Sequence, residues 1–200
     1  MKRFALSLFP ILTIVLAWGG TALSQGVGDN SVYFVTYYSN ANTTGAPDPA
    51  VRVINDGDTG ANLWASFYSF DDSQEMQECC SCQVSPDGLT SESVGKNLTS
   101  NSLTGRVPTR GVIKVISSSA NAGGPTNFTN TPTPGLRVWS THIQRVTPTS
   151  GDFHLSEALA GDSNLAPPEE TLIETLCLYI NLLGGGGQGV CSCTPEGQDF

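Results

Sequence analysis

The sequence predicts a mainly β protein, an antiparallel β-sandwich of immunoglobulin-like or jelly-roll-like type with one C-terminal α-helix. Short aromatic and β-branched runs are separated by loops rich in Gly, Pro, Asn and Thr. These runs do not alternate with helical patterns, which argues against a doubly wound α/β sheet. Of 200 residues, 22 are Gly and 12 are Pro, and 14% are charged, unlike a helical bundle or a coiled coil.

The N-terminus has the three parts of a secretory signal peptide. Two basic residues precede an uncharged apolar run that extends to Trp18, and small residues occupy positions 22 and 24. We predict cleavage after Ser24, so that residues 1–24 are the signal peptide and residues 25–200 form one domain. The apolar run is shorter than the roughly 20 residues of a spanning helix, which makes an uncleaved anchor the less favoured alternative. No later segment of the sequence predicts a transmembrane helix.

The strands follow in order along the mature chain. The predicted strands are Val32–Tyr38, Val51–Ile54, Leu63–Phe70, Gly111–Ser117 and Leu136–Val146. Leu63–Phe70 carries large side chains on both faces, so we expect it to be central and buried on both sides. Pro86-Asp87-Gly88 predicts a turn, since Pro fixes φ and Gly supplies a positive φ. Residues 89–110 predict irregular structure with short edge strands.

One clear helix is predicted near the C-terminus, at about residues 168–183. Prolines at 167 and 168 and glutamates at 169 and 170 suit its first turn. Its predicted apolar stripe consists of Leu172, Leu176, Tyr179, Ile180 and Leu183. The glycine run from Gly184 ends the helix, which we expect to pack on one end or edge of the sandwich. Ser156–Leu159 is interpreted as a short helical turn.

Six cysteines lie in the predicted mature chain: Cys79, Cys80, Cys82, Cys177, Cys191 and Cys193. An even number in an exported chain predicts disulfides. A bond between adjacent Cys79 and Cys80 would be strained, and in an extended cluster Cys79 points away from the other two. We expect at least one bridge from this cluster to the C-terminal cysteines, closing a loop of about 100 residues. A bond between Cys177 and the Cys-x-Cys tail is one option, and the remaining connectivity stays open.

The cysteines could instead bind a metal or carry redox chemistry. The Cys-x-x-Cys spacing at 79–82 occurs in dithiol oxidoreductases and in zinc sites, with His142 and His154 as further ligands. A redox role requires a thioredoxin-like βαβ unit, which the sequence does not predict. Outside the cell oxidation competes with metal binding, so structural disulfides are the preferred interpretation.

The residues around Asp56 and Asp58 resemble part of a calcium-binding loop. Gly60 stands where an EF-hand needs a ligand, so a hairpin turn is the preferred interpretation. Asp71 and Asp72, after the next strand, are the additional ligands that a calcium site of another type would use. We therefore predict no cofactor, with calcium or a thiolate-bound metal as the lesser alternatives.

The sequence contains no recognisable catalytic constellation. The segment around Ser163 resembles the nucleophile of GDSL-type hydrolases, but both histidines precede the serine. We expect His142 to be hydrogen-bonded or half-exposed within a strand. We expect solvated faces for the acidic residues that could pair for glycoside hydrolysis, Glu75, Glu78, Glu169, Glu170 and Glu174. The net charge of -9 and the lack of a basic patch exclude a nucleic-acid binder.

Two segments carry a resemblance to other proteins. One is Glu78-Cys79-Cys80-Ser81-Cys82 with the following Pro86-Asp87-Gly88-Leu89, and the other is the Cys-x-Cys ending. Together they resemble a set of uncharacterised exported bacterial proteins, over well under half of the chain. The resemblance implies a bacterial source and export, and it implies no activity.

The sequence as a whole predicts an exported, disulfide-stabilised, non-enzymatic protein that is secreted, periplasmic or held at the cell envelope. Its acidic, charge-poor composition and the absence of catalytic motifs favour this interpretation. Another envelope or extracellular protein is the partner we expect. One alternative is a small-ligand or metal-binding module, and another is an enzyme of unrecognised type.

Overall fold

A computed structural model describes residues 30–100, 105–122, 129–147, 149 and 151–183. The predicted signal peptide, Cys191, Cys193 and the end of the chain lie outside these residues. The described part forms nine strands: β1 Tyr33–Ser39, β2 Ala50–Asn55, β3 Leu63–Asp71, β4 Met76–Val84, β5 Leu89–Ser93, β6 Arg110–Ser118, β7 Leu136–Arg145, β8 Phe153–Leu159 and β9 Gly161–Asp162. It also contains one α-helix, α1 Pro167–Leu183, and a π-helical turn, Val94–Leu98.

The strands form two antiparallel sheets, which confirms the predicted β-sandwich with one C-terminal helix. The five-stranded sheet has the order β4-β3-β6-β1-β9, and the four-stranded sheet has the order β5-β2-β7-β8. β3 pairs with β4 on one side and β6 on the other, and it is buried along nearly its whole length. β3 is therefore an interior strand that is buried on both faces, as its large side chains predict, and β6 is the middle strand of the sheet.

The two sheets are joined along one side by the chain itself and by polar contacts. β8 pairs with β7 in the four-stranded sheet, and after Ala160 the chain enters the five-stranded sheet as β9, beside β1. Ala160 N donates to Val138 O at 2.8 Å across this crossing. Near it the hydroxyls of Thr36 and Ser140 lie 2.5 Å apart. The sandwich is consequently closed on the side where β1 approaches β7.

Two apolar cores hold the molecule together. One lies between the sheets and includes Phe34, Val53 and Phe67. The other lies between the outer face of the five-stranded sheet and α1, and it includes Tyr68 and Ile173. The helix thus covers a sheet face rather than an end or edge, because Tyr33, Tyr68, Phe70, Met76 and Ile116 give that outer face an apolar surface that water would otherwise contact.

The buried stripe of α1 differs from the predicted one. Ile173, Cys177 and Ile180 are buried, whereas Leu172 and Tyr179 are about half exposed. The Cys79–Cys177 disulfide lies on this buried face together with Ile173 and Ile180, and the face is rotated around the helix from the predicted stripe. Among the helices in the described ranges, none is long and apolar enough to cross a membrane.

Two local interpretations from the sequence are wrong. Ser156–Leu159 belongs to strand β8, because pairing with β7 over seven residues outweighs local helical propensity. The residues after Asn55 do not form a hairpin turn, since β2 and β3 lie in different sheets and this loop crosses between them.

The predicted turn at Pro86-Asp87-Gly88 exists, but its positive φ belongs to Asp87 (59°) and not to Gly88. Asp tolerates this conformation better than most residues. The glycine is required for another reason, because a Cβ at Gly88 would lie 2.7 Å from Ser85 O.

Candidate functional site

A disulfide between Cys79 and Cys177 joins the outer face of β4 to α1. The two Cα atoms are 5.6 Å apart, an ordinary spacing for this bond, and 98 positions separate the residues in sequence. This confirms a bridge from the first cysteine cluster to a C-terminal cysteine, and it excludes a bond from Cys177 to the tail. Asn181 Nδ2 lies 3.2 Å from Cys79 Sγ and donates to Cys177 O at 2.9 Å, so the helix is also hydrogen-bonded at the bridge.

Cys80 and Cys82 are also disulfide-bonded, and no described cysteine is free. Both point to the core between the sheets, opposite to Cys79, as the alternation of side chains along an extended strand requires. A sulfur atom in a disulfide bond is not available as a thiolate. The described cysteines therefore cannot act as thiolate metal ligands or as a dithiol while these bonds are intact, and Cys191 and Cys193 lie outside the described residues.

A cleft of about 390 Å³ lies between α1 and the five-stranded sheet. Its walls combine apolar side chains with four polar ones: Phe70, Val112, Leu172 and Leu176, with Asp71, Gln74, Lys114 and Glu169. The side chains of β3, β6 and the turn after β3 form one wall of the cleft, and Glu169, Leu172 and Leu176 of α1 form the other. It is a concave surface on which several polar groups converge, as small-ligand sites commonly are.

Lys114 and Glu169 form the charged centre of this cleft. Lys114 Nζ donates to Glu169 Oε1 at 2.5 Å and lies 4.7 Å from the centre of the Phe70 ring. The hydroxyl of Tyr33 donates to the same carboxylate oxygen at 3.0 Å. The hydrogen bond from Lys114 holds the pKa of Glu169 below its usual value. Burial and the nearby carboxylate raise the pKa of Tyr33, so this phenol stays protonated at neutral pH.

The acidic residues in the rest of the cleft are also engaged in structure. Asp71 accepts hydrogen bonds from the backbone N–H groups of Ser73 (2.8 Å) and Glu75 (3.0 Å) and from Gln77 Nε2 (3.0 Å). These bonds shape the turn between β3 and β4, where Gln74 adopts a φ of 69°. The cleft thus offers apolar walls around charges that already have partners.

The four aspartates of the calcium hypothesis do not come together. Asp56 and Asp58 precede β3, whereas Asp71 and Asp72 lie at its far end, nine strand residues away. At about 3.3 Å per residue this strand separates the two pairs by more than 20 Å. Asp56 caps its own loop by accepting from Asp58 N, and Asp72 pairs with Arg106 (3.0 Å) and Arg110 (2.8 Å). In the described ranges no three His, Cys, Asp or Glu side chains are grouped as metal ligands.

A serine and a histidine do approach each other, in β7. Ser140 Oγ is 3.1 Å from His142 Nε2 and also contacts the Thr36 hydroxyl. The His142 ring stacks on Tyr37 at 4.1 Å, and burial lowers the pKa of the imidazole. His142 is hydrogen-bonded within a strand, as the sequence predicts. Ser140 and His142 are only 2% and 7% exposed, so a substrate cannot reach this pair without the sandwich opening.

The carboxylates that were expected on solvated faces are mostly not solvated. Glu78 is fully buried in β4, and Glu169, Glu170 and Glu174 are partly buried on α1. Glu174 accepts from the backbone N–H of Asn130 at 2.6 Å, which ties the helix to the loop before β7. Burial, and then the charge of Glu174, raise the pKa of Glu170. Glu169 and Glu174 thus hold the helix against the sheet and against the loop before β7.

Sequence reasoning missed Lys114, Phe70 and Tyr33 as site residues. One signal was present, because Lys114 is a single charge within the apolar run 112–116. A lysine in a buried strand usually has an anionic partner. That partner, Glu169, is 55 positions away, and no local pattern identifies it.

Comparison of the chain with protein-family profiles, curated proteins and solved structures finds no match.

Proposed function

We propose that this chain is an exported, non-enzymatic β-sandwich protein of the extracellular space or the cell envelope. One observation carries the proposal, the Cys79–Cys177 disulfide in a chain whose described cysteines are all oxidised. Stable structural disulfides form in secreted, periplasmic and cell-surface proteins and are rare in the cytosol. The signal-like N-terminus and the resemblance to exported bacterial proteins favour the same compartment.

The non-enzymatic part of the proposal rests on where the reactive side chains lie. His142 is buried against Ser140 and Tyr37, and the cleft acid Glu169 is ion-paired with Lys114. A general acid or base needs a pKa near the working pH and access to substrate. The pKa of Glu169 moves away from neutrality, and His142 lacks access. Both arrangements contribute to the stability of the fold and not to catalytic turnover.

Export and oxidation can be tested together in a bacterium that produces the full chain. We expect the protein in the exported fraction with its N-terminus at Gln25. Denaturation followed by alkylation should modify no cysteine. Proteolysis without reduction should release a peptide pair that joins Cys79 to Cys177.

A variant that lacks residues 2–24 is the matched control. It should stay in the cytosol, and its cysteines should react with the alkylating agent. Recovery of the full chain from the cytosol with Met1 retained and six reactive thiols would contradict the proposal.

A second candidate function, the binding of a small molecule, is favoured by the cleft between α1 and the five-stranded sheet. Its volume of about 390 Å³ lies in the range of small-ligand sites. Its charges are already paired, so a suitable ligand is mainly apolar with a group that hydrogen-bonds near Lys114. The fluorescent probe anilinonaphthalene sulfonate has this character, since its aromatic rings carry one anionic group.

Two tryptophan substitutions test this second candidate. Val112→Trp fills the cleft, whereas Leu182→Trp adds the same ring at an exposed position of α1. If the cleft binds the probe, Val112→Trp removes most of the fluorescence gain and Leu182→Trp retains it. Equal binding by both variants and the parent protein would exclude the cleft as the site.

A further inference from the structure

Strand β8 is the most exposed of the described strands longer than two residues. Six of its seven residues, His154 to Leu159, are exposed, and Leu155 and Leu159 are each more than half exposed. β8 pairs only with β7, and no described strand lies beyond it in the four-stranded sheet. One row of backbone N–H and C=O groups therefore faces outward along the strand.

Natural proteins usually protect such an edge, and β8 lacks the usual devices. Edge strands are typically blocked by proline, lysine, a β-bulge or a very short length. The β8 sequence, Phe-His-Leu-Ser-Glu-Ala-Leu, has no proline or lysine, and its register with β7 is uninterrupted. Its one acidic residue, Glu157, is bonded to Arg52 within the same sheet at 2.8 Å. The edge is open to pairing with another strand.

The hydrogen-bond pattern identifies the residues that face outward. Ala160 N donates to Val138 O and Val146 N donates to Asp152 O, at the two ends of the β7–β8 ladder. Hydrogen-bonded and non-hydrogen-bonded pairs alternate along an antiparallel ladder. Even-numbered residues of β8 therefore direct their backbone groups to β7. The odd-numbered residues, Phe153, Leu155, Glu157 and Leu159, direct theirs to the free edge.

We propose that β8 pairs with β8 of a second copy of this chain, antiparallel and with the two-fold axis at Ser156. The two four-stranded sheets then form one continuous eight-stranded sheet. The outward-facing residues of both copies are odd-numbered and pair with one another, so the two residue numbers of every pair have an even sum. The two-fold axis therefore passes through a residue and not between two residues. An axis at Glu157 places two glutamates opposite one another, which is unfavourable. An axis at Leu155 pairs Leu159 with Gly151, outside the strand.

With the axis at Ser156, every residue of β8 has a partner in β8 of the other copy, and the side chains of the two strands are complementary. Phe153 lies opposite Leu159 of the other copy, so an apolar pair forms at each end of the strand. Leu155 lies opposite Glu157 of the other copy, which keeps the two acidic residues apart. All four outward-facing residues of each copy form hydrogen-bonded pairs. A peptide from a different protein would not need this symmetric match, which is why a second copy is the occupant that we infer.

Charged substitutions at Leu155 test the register, because they place a charge opposite Glu157 of the other copy. Leu155→Glu creates two like-charge pairs across the axis and should raise the dimer dissociation constant about tenfold. Leu155→Lys creates two opposite-charge pairs and should hold the dissociation constant at or below that of the parent. Leu182→Glu, on the exposed face of α1, is the control and should change nothing. Sedimentation velocity over a concentration series of the disulfide-intact protein measures all four, and circular dichroism confirms that each is folded.

A cysteine on the axis provides an independent test. Ser156 pairs with itself in a non-hydrogen-bonded pair, where Cβ atoms lie about 4.5–5.5 Å apart. Ser156→Cys should therefore cross-link into a covalent dimer under mild oxidation. Ala158→Cys is equally exposed but faces His154 of the other copy, and it should cross-link far less.

Four results would overturn the proposal. One is a parent protein that remains monomeric at about 100 µM, the concentration at which a weak dimer with a micromolar dissociation constant is mostly formed. Another is a dimer that Leu155→Glu and Leu155→Lys weaken equally. The third is equal cross-linking of Ser156→Cys and Ala158→Cys. A monomer whose edge instead captures an extended peptide would also refute the second copy as occupant.

Discussion

Removal of the Cys79–Cys177 disulfide should destabilise the protein strongly and act first on α1. The change is the double variant Cys79→Ala/Cys177→Ala, because both side chains are buried and alanine adds no unpaired polar group. An isolated helix of 17 residues is marginal in water, so α1 depends on its contacts with the sheet. The bridge keeps the chain segments around Cys79 and Cys177 together in the unfolded ensemble as well as in the native state.

The magnitude follows from the loop that the bond closes. A separation of 98 positions corresponds to about 4.7 kcal/mol of unfolded-state entropy if this bridge acts alone. If Cys80 or Cys82 is joined to the C-terminal tail, removal of the Cys79–Cys177 bond frees a loop of only roughly 15 residues and costs about 3 kcal/mol. Truncation of two buried sulfurs adds about 1 kcal/mol. We expect a total loss of about 4–6 kcal/mol in the free energy of unfolding.

Urea denaturation followed by circular dichroism measures this loss. The denaturant dependence, the m-value, should rise in the double variant, since removal of a cross-link exposes more surface in the unfolded chain. Hydrogen exchange should show that amides of Ile173 to Ile180 lose protection before those of β3. Leu182→Ala, at a position 71% exposed, is the control and should cost less than about 0.5 kcal/mol. A loss below about 1.5 kcal/mol with an unchanged m-value would refute this reasoning.

Three further substitutions test local features. Glu169→Gln should cost about 1 kcal/mol at pH 7, and the difference should vanish on acidification. Because the pKa of Glu169 is lowered in the folded protein, its contribution to the free energy of unfolding is present above the pKa of the unfolded state. This contribution is lost as the pH falls through the pKa of the folded state. Parallel urea titrations at pH 7 and pH 3 measure the difference. His142→Gln should reduce the loss of stability between pH 7 and pH 5, since burial lowers the pKa of His142 and protonation then favours the unfolded chain. An unchanged pH slope would contradict this cause. Gly111→Ala should cost at least about 2 kcal/mol in thermal unfolding, because its Cβ would lie 1.9 Å from Phe70 O. A neutral result would show that β3 and β6 separate easily at this point.

The strands were predictable because their signal is local. Leu63–Phe70 has the composition of a doubly buried strand, and β3 is an interior strand buried along nearly its whole length. The error at Ser156–Leu159 has the opposite origin. This segment has no strong local preference, and it becomes a strand only because Ile143 and its neighbours in β7 supply hydrogen-bonding partners. Pairing between distant segments decides such ambiguous stretches.

The cleft was not predictable because its residues meet only in the fold. Lys114 is on β6, Phe70 is on β3 and Glu169 is on α1, and each has an unremarkable sequence neighbourhood. The orientation of α1 about its own axis could not be predicted from the sequence either. Its apolar residues surround much of the helix, so periodicity alone could not distinguish the face that includes Ile173 from the face that includes Leu172.

The amino-acid sequence by itself determined the fold class, the positions of five of the nine described strands, the C-terminal helix and the expectation that the cysteines are oxidised. These features depend on residue type and on spacing over a few positions, where backbone geometry limits the possibilities. Only the tertiary structure decided that Cys79 is joined to Cys177, that Glu169 meets Lys114 and that β8 forms an open edge. The physical reason is that each of these depends on which distant segments pack together, and packing is a property of the whole chain.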